Sequence, residues 1–457
     1  MPGVLFHRHK RCCVLLWFDH IKIEPTVPEP YMTNHSIQSH SFFQRLKSFA
    51  TSIGPGIFLI GYIIGTGSVT SMATSGAKYG MSMTWALALS CFFTYIMIVS
   101  ISRTTIVTGE TIIYSLRRHL GSPVAIFVIV SLMLSVVTSI MGVTAIATDV
   151  VREWTRSMTP GGEGVHPVIS AAVFIAILYA LFWHGTHNFF LKAMAIIVAL
   201  MGSSFVLTMF MVVPSPSEII TGLVPRLPSE ANAHLVLAGL VGTTMASVCI
   251  VTRSYLVSEK GWGLDDLAEE NRDSMLSLLL TFFVSAAIIA CAAGTMYPRG
   301  IAVNNAIDMV ATLEPLAGRF ATSIFVGGIV AAALSSLFPN YCLGPWLVCD
   351  YLNIPRKMDR PLIRIAVLAA AFLGFIVPVF GGKPVIIMIA SQAVSPVVMP
   401  LLIIFLFVLL NKKNVVGNYR NPVLLNIGLI VTFVFSLFIS YSAVLGLISF
   451  LKNFSGA

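Results

Sequence analysis

Charge is what this sequence has least of: Asp, Glu, Lys and Arg together make up 10% of its 457 residues, and only 19 residues are acidic. A soluble fold of this length needs a far larger solvated surface, so a purely soluble enzyme is excluded at the outset. Cysteine is also sparse, with Cys12, Cys13, Cys91, Cys249, Cys291, Cys342 and Cys349 and no C-x-x-C pair among them. That spacing argues against a zinc ribbon, a dithiol redox motif and a disulfide framework, and most of these residues read as small apolar side chains. The histidines are isolated: His166, His184 and His187 fall at span ends and form no ligand or catalytic constellation, so no enzyme and no cofactor is expected. The formal charge of +9 is scattered over helix ends, which argues against a nucleic-acid partner.

What is present is apolar length. Hydrophobic residues make up 56% of the chain and the mean hydropathy is +0.88. Charges punctuate long uncharged runs, as between Lys47 and Lys78, Arg118 and Asp149, Asp273 and Arg299, and Lys383 and Lys412. Each run holds a membrane crossing of about 20 residues, and irregular backbone cannot face lipid, so each run is predicted to be helical. The pattern predicts about 11 transmembrane helices near 52–75, 82–106, 123–148, 166–184, 188–213, 233–257, 275–297, 320–341, 363–380, 385–410 and 423–451. Alternating these spans from a cytoplasmic N-terminus puts 20 of the 28 Lys and Arg residues on the inner side, which sets the expected orientation. The expected location is the plasma (cell inner) membrane. Residues 1–45 read as a disordered cytoplasmic tail, and Met32 offers an alternative initiator. Residues 46–457 form the transmembrane domain, in which the charged stretch Glu259 to Asp273 reads as a solvated connection.

Two spans are poor helices at mid-membrane depth. The first carries Gly65-Thr66-Gly67-Ser68, and the sixth carries Val241-Gly242-Thr243-Thr244 followed by Met245-Ala246-Ser247-Val248. Two interrupted helices five spans apart fit an all-α, inverted-repeat, broken-helix transporter in which helices 1–5 and 6–10 are related halves, with helices 1 and 6 discontinuous. The alternative is that glycine, serine and threonine merely permit close helix packing there.

The run Gly54-Pro55-Gly56, then Gly65-Thr66-Gly67-Ser68, then Gly76-Ala77-Lys78-Tyr79-Gly80 resembles the first helix and loop of the natural resistance-associated macrophage protein (NRAMP) family of divalent-metal transporters. Further matches are Arg103, Ile106-Val107-Thr108-Gly109, Ser335-Ser336, and Ser391-Gln392 with Pro400, so the resemblance covers about residues 50–410. It departs at the metal site. Gly65, Thr66 and Ser68 replace the Asp, Pro and Asn of the family's D-P-G-N break, Ala246-Ser247-Val248 replace its M-P-H signature, and Arg253 replaces a second histidine. The resemblance implies that Tyr62 and Thr243 supply backbone carbonyls and that Gln392 keeps its amide.

The candidate solute site is therefore Tyr62, Gly65, Thr66, Gly67, Ser68, Thr243, Thr244, Ala246, Ser247 and Gln392, with no strong side-chain metal ligand. Neutral oxygens suit hard cations or polar organic solutes better than manganese or iron. Since Mg²⁺ keeps several waters, a partly hydrated divalent cation is the leading partner beside the lipid bilayer, as in NRAMP-related magnesium transporters. A small organic solute such as an amino acid stands as the alternative, because half-helix N-termini can face a carboxylate. A membrane scaffold that transports nothing is the third reading. Met245 and Cys249 are the two positions at which a soft ligand could be restored, and Lys78 reads as a loop charge. With no acidic residue between Val124 and Thr148, and Asp149 and Asp350 closing their spans, transport is expected to run without proton coupling.

Overall fold

The computed structural model describes residues 64–455 apart from 186, 213–214, 230–231, 318–319, 357–358 and 418. Tyr62 lies outside the described residues, as do residues 1–45 and Gly54-Pro55-Gly56. The described chain is helical throughout, with no strand among the described residues. In order the helices are α1 (Thr66–Tyr79), α2 (Thr84–Thr108), α3 (Ile112–Leu120), α4 (Ser122–Thr155), α5 (Pro167–His184), α6 (His187–Val212), α7 (Pro216–Gly222), α8 (Ala233–Thr244), α9 (Ser247–Lys260) and α10 (Leu267–Thr295). They are followed by α11 (Ala321–Leu352), α12 (Pro361–Phe372), α13 (Ile376–Phe380), α14 (Pro384–Ala393), α15 (Ser395–Asn411) and α16 (Val423–Ser455).

Among the described residues nine segments are long and apolar enough to cross a membrane, with α8 and α9 counted as one crossing and α14 and α15 as another. The 26-residue α6 and the half-length α1 complete eleven crossings. Starts and stops follow local chemistry. Proline opens α5, α12 and α14 at positions where no helical N–H is required. Left-handed Gly109, Gly185, Gly261 and Asn353 close α2, α5, α9 and α11.

The interior is built around α1. All of its residues except Lys78 are buried, although six of the fourteen are Thr or Ser. Such a helix is stable only inside a bundle, and it packs on α10, α8 and α14. The approach to α10 is close: a Cβ on Gly76 would meet the Ile289 carbonyl oxygen and, at 2.7 Å, the Ala292 Cβ. Small residues thus bring the backbones together, as expected where lipid supplies no hydrophobic drive between helices.

Glu270 and Asp273 correct the expectation that Glu259 to Asp273 is a solvated connection. Helix α10 already begins at Leu267, so both carboxylates are helical, and both are buried. Arg253, fully buried on α9, places Nη2 3.1 Å from Glu270 Oε1, 2.8 Å from Asp273 Oδ2 and 3.0 Å from Ser274 Oγ. Its Nε donates to Ser102 Oγ on α2 at 3.3 Å. Arg253 is therefore a three-helix tie, not a cation at a helix end. Asp149 and Asp350 are likewise buried inside α4 and α11, because these helices run to 34 and 32 residues, longer than the sequence pattern marked.

Replacing Arg253 with Met would strand two buried carboxylates, and breaking a buried pair in this way costs about 3–5 kcal/mol. The variant should melt well below the wild type in detergent. Adding Glu270→Gln and Asp273→Asn to it should restore most of the loss; a melting temperature unchanged by Arg253→Met would contradict the tie.

Candidate functional site

The two half-helices α8 and α9 meet at Met245 and Ala246, where the backbone leaves helical geometry, with ψ of 47° and 114°. A broken helix exposes amides at one end and carbonyls at the other, and inside a membrane these need partners from the protein. They have them. Ser395 Oγ accepts from the Ser247 amide at 2.8 Å and lies 3.1 Å from Ser247 Oγ. Thr94 Oγ1, whose main acceptor is the Ser90 carbonyl at 2.6 Å, also reaches the Thr244 carbonyl at 3.4 Å. The other break precedes α1: its N-cap residue Gly65 is extended, with φ −100° and ψ −171°, and has no side chain to cap the amides of the first turn. Ser68 Oγ and Thr243 Oγ1, 2.9 Å apart, join the two broken helices directly.

Between the breaks lies a cavity of about 50 Å³. The first broken helix contributes Gly65, Thr66 and Gly67 to its wall, and the second contributes Thr243, Ala246, Val248 and Cys249. Helix α4 adds Ser135, Ser139 and Val143, α11 adds Ser336 and Asn340, and the α14–α15 segment adds Met388, Ser391, Gln392 and Ser395. Gly67 is where the wall is tightest. A Cβ there would lie 2.8 Å from Met388 Cε and 2.9 Å from Gln392 Nε2. A Cβ on Gly242 of α8 would strike the Gln392 carbonyl oxygen. Pro339 removes the N–H that would meet the Ser335 carbonyl, loosening α11 beside Ser336 and Asn340.

Of the expected site residues, Gly65, Thr66, Gly67, Thr243, Ala246 and Gln392 surround this cavity. Ser68, Thr244 and Ser247 do not line it; the Ser68 and Ser247 hydroxyls and the Thr244 carbonyl join the helices around it instead. Sequence reasoning missed the walls from α4 and α11 and also Met388. One signal was available for α11: Asn340 is the only Asn, Gln or His in that helix and follows a proline. Of the two proposed soft positions, Cys249 is on the wall, whereas Met245 is buried away from it. His184 is exposed at the end of α5, and His166 caps its start, accepting from the Val168 amide at 3.3 Å.

The chemistry of the cavity is neutral. No Asp, Glu, His, Lys or Arg is among the described residues lining it, and no cluster of three metal-binding side chains occurs among the described residues. The hydroxyl oxygens of Thr66, Ser135 and Ser336 are buried on this wall without a hydrogen-bond partner. Unpaired buried hydroxyls are costly, so such a wall suits water or a hydrated solute.

A family model described as natural resistance-associated macrophage protein-like matches residues 56–446. The natural resistance-associated macrophage protein 2 homolog of Dictyostelium discoideum is 24% identical over 436 residues, covering 88% of this chain and 65% of its own length. A divalent metal cation transporter MntH of Verminephrobacter eiseniae is 23% identical over 412 residues, covering 87% and 89%. Among solved structures, the manganese transporter of Eremococcus coleocola aligns with a TM-score of 0.67 at 13% identity, over 93% of this chain and 91% of that one. The nucleobase-cation symporter MHP1 aligns at 0.54 with 12% identity, over 87% and 90%. At these identities the structural likeness concerns the fold.

Gly67→Leu and Thr243→Leu should both abolish solute movement while leaving membrane insertion and size-exclusion behaviour intact. Insertion depends on the apolar spans, which these changes spare, whereas either side chain would fill the cavity. Wild-type uptake by both variants in liposomes would remove the cavity from the transport path.

Proposed function

This chain belongs to the natural resistance-associated macrophage protein family, and we propose that it moves a divalent cation through the central cavity with part of the cation's water shell retained. The observation that carries this reading is the cavity itself: small, uncharged and walled by hydroxyls, amides and the ends of two broken helices. About 50 Å³ corresponds to roughly three to five waters at about 10–15 Å³ each. That is far below the roughly 300 Å³ at which sites burying an organic ligand begin.

The ion preferred is hard. A carboxylate and a thioether favour manganese and iron, but Gly65 and Ala246 offer neither at the positions where the family carries them. Neutral oxygens cannot repay full dehydration of a divalent ion, so the ion keeps water, as Mg²⁺ does readily. Transport runs down the ion's own gradient, since no titratable carboxylate or imidazole is among the described lining residues. The buried carboxylates Glu270, Asp273, Asp149 and Asp350 stand apart from it and have other partners. The excess of cations on the side where α2, α9, α11 and α15 end supports a cytoplasmic N-terminus in a plasma (inner) membrane.

A second reading, a small anion-bearing organic solute, draws on one observation. The first turn of α1 begins at the cavity with no side-chain cap and no acidic residue, and a helix N-terminus favours negative charge. The size of the cavity separates the two readings.

Purified protein in liposomes should take up Mg²⁺ in preference to Mn²⁺ and should not take up amino acids. Under an imposed inward proton gradient, Mg²⁺ entry should leave the internal pH unchanged. Lumenal acidification driven by the ion would overturn the uncoupled mechanism, and high-affinity Mn²⁺ uptake would overturn the hard-ion preference.

A further inference from the structure

Above the central cavity, at the end of the bundle where α4 terminates, lies a second and larger space of about 370 Å³. Arg156, Glu163, His166, Gly381 and Gly382 on its rim are exposed, so it opens to the surface, while Asp149 and Pro384 lie deeper. The two spaces share the groove between α4 and α14. On α4 the cavity ends at Val143 and the upper space begins at Ala145; on α14 they end and begin at Met388 and Pro384. The separation is thus at most about one helical turn, near 6 Å.

On α14 one side chain marks the edge of the cavity that faces the outer space. Met388 is completely buried, and the positions a Cβ would take on its two neighbours are both glycine. A Cβ on Gly142 of α4 would be 2.8 Å from Met388 Sδ, and one on Gly67 of α1 would be 2.8 Å from Met388 Cε. The methionine therefore reaches from α14 into the gap left by glycine on two facing helices. Among the described residues its sulfur has only a long contact, with Ser391 Oγ at 3.8 Å, so packing and not hydrogen bonding holds it there. Methionine is unbranched and has three rotatable side-chain bonds, so it can leave such a gap without displacing the backbone.

We propose that Met388 is the residue that sets what passes between the outer space and the central cavity, closing the path by volume and opening it by rotation. This rests on the reading that a cation uses the cavity, but the closure can be tested without transport. Cys249 lies on the cavity wall and reports on access to it.

The test uses sealed vesicles with the outer space facing the bath, an impermeant cationic methanethiosulfonate reagent, and mass spectrometry of the peptide carrying Cys249. Met388→Ala should raise the rate of Cys249 modification about tenfold or more, Met388→Val should raise it to a lesser extent, and Met388→Leu, of similar volume, should keep the wild-type rate. Rapid modification in the wild type, or equal rates in wild type, Met388→Val and Met388→Ala, would overturn the closure. The same variants assayed for Mg²⁺ and Cd²⁺ uptake separate volume from sulfur chemistry. Met388→Leu should preserve the ion ranking; loss of Cd²⁺ uptake with Mg²⁺ uptake retained would show that the sulfur is a ligand and would overturn control by volume. If no variant and no wild type takes up either ion, the proposed transport fails while the modification rates still decide the closure.

Discussion

A backbone interrupted at membrane depth must find partners for its freed amides and carbonyls, and the rest of this structure is arranged around that requirement. The break between α8 and α9 is tolerated because Ser395 receives the Ser247 amide and Thr94 reaches the Thr244 carbonyl. Both partners come from outside the broken helix, Ser395 from α15 and Thr94 from α2. The break therefore fixes where α2 and α15 must sit, and the cavity is the space these constraints leave over. Ser254 extends the same logic downward: its Oγ accepts the Ile112 amide at 2.8 Å and lies 2.8 Å from Thr105 Oγ1, holding α9 to α2 and to the start of α3.

Charge has been cleared from the centre and gathered at the ends. Below the cavity, Arg253 binds two carboxylates; Ser247 and Arg253 are six residues apart, or roughly 9 Å along the helix. Above it, Asp149 accepts the Ala306 amide at 3.0 Å and faces the outer space. The described residues around the central cavity present only dipoles. Dipoles bind a dehydrated divalent ion too weakly to replace its hydration but can hold the water around it, which is why the proposed function gives this neutral centre a hydrated cargo.

Much of this was legible in the sequence. Gaps between charges located the spans because a membrane tolerates no other arrangement, and the two Gly-and-hydroxyl runs located the breaks because they are weak helix formers in otherwise apolar segments. What stayed hidden depends on which face of a helix turns inward. Ser135, Ser139 and Met388 are ordinary residues in apolar helices, and only the packing of α4 against α14 brings them to one cavity. The Arg253 tie was hidden for a related reason. Glu270 and Asp273 are 17 and 20 positions away, and the turn between α9 and α10 must form before a stretch that reads as a loop becomes a buried partner.

Glycine at position 67 shows how local and global requirements converge. In the family that this chain resembles, the first break carries a carboxylate two residues earlier, where Gly65 stands here. The described wall offers no anionic side chain to draw an ion out of its water, and under the proposed function selection rests on shape in place of ligand exchange. Shape requires close walls. Gly67 allows both Met388 and Gln392 to come against α1, and Gly142 allows Met388 to come against α4. The glycines that weaken the helix as a helix are thus what permit a cavity of this size to be enclosed by the two broken helices together with α4, α11 and the α14–α15 segment. A change that strengthened the helix at Gly67 would take up the space in which selection by size could operate.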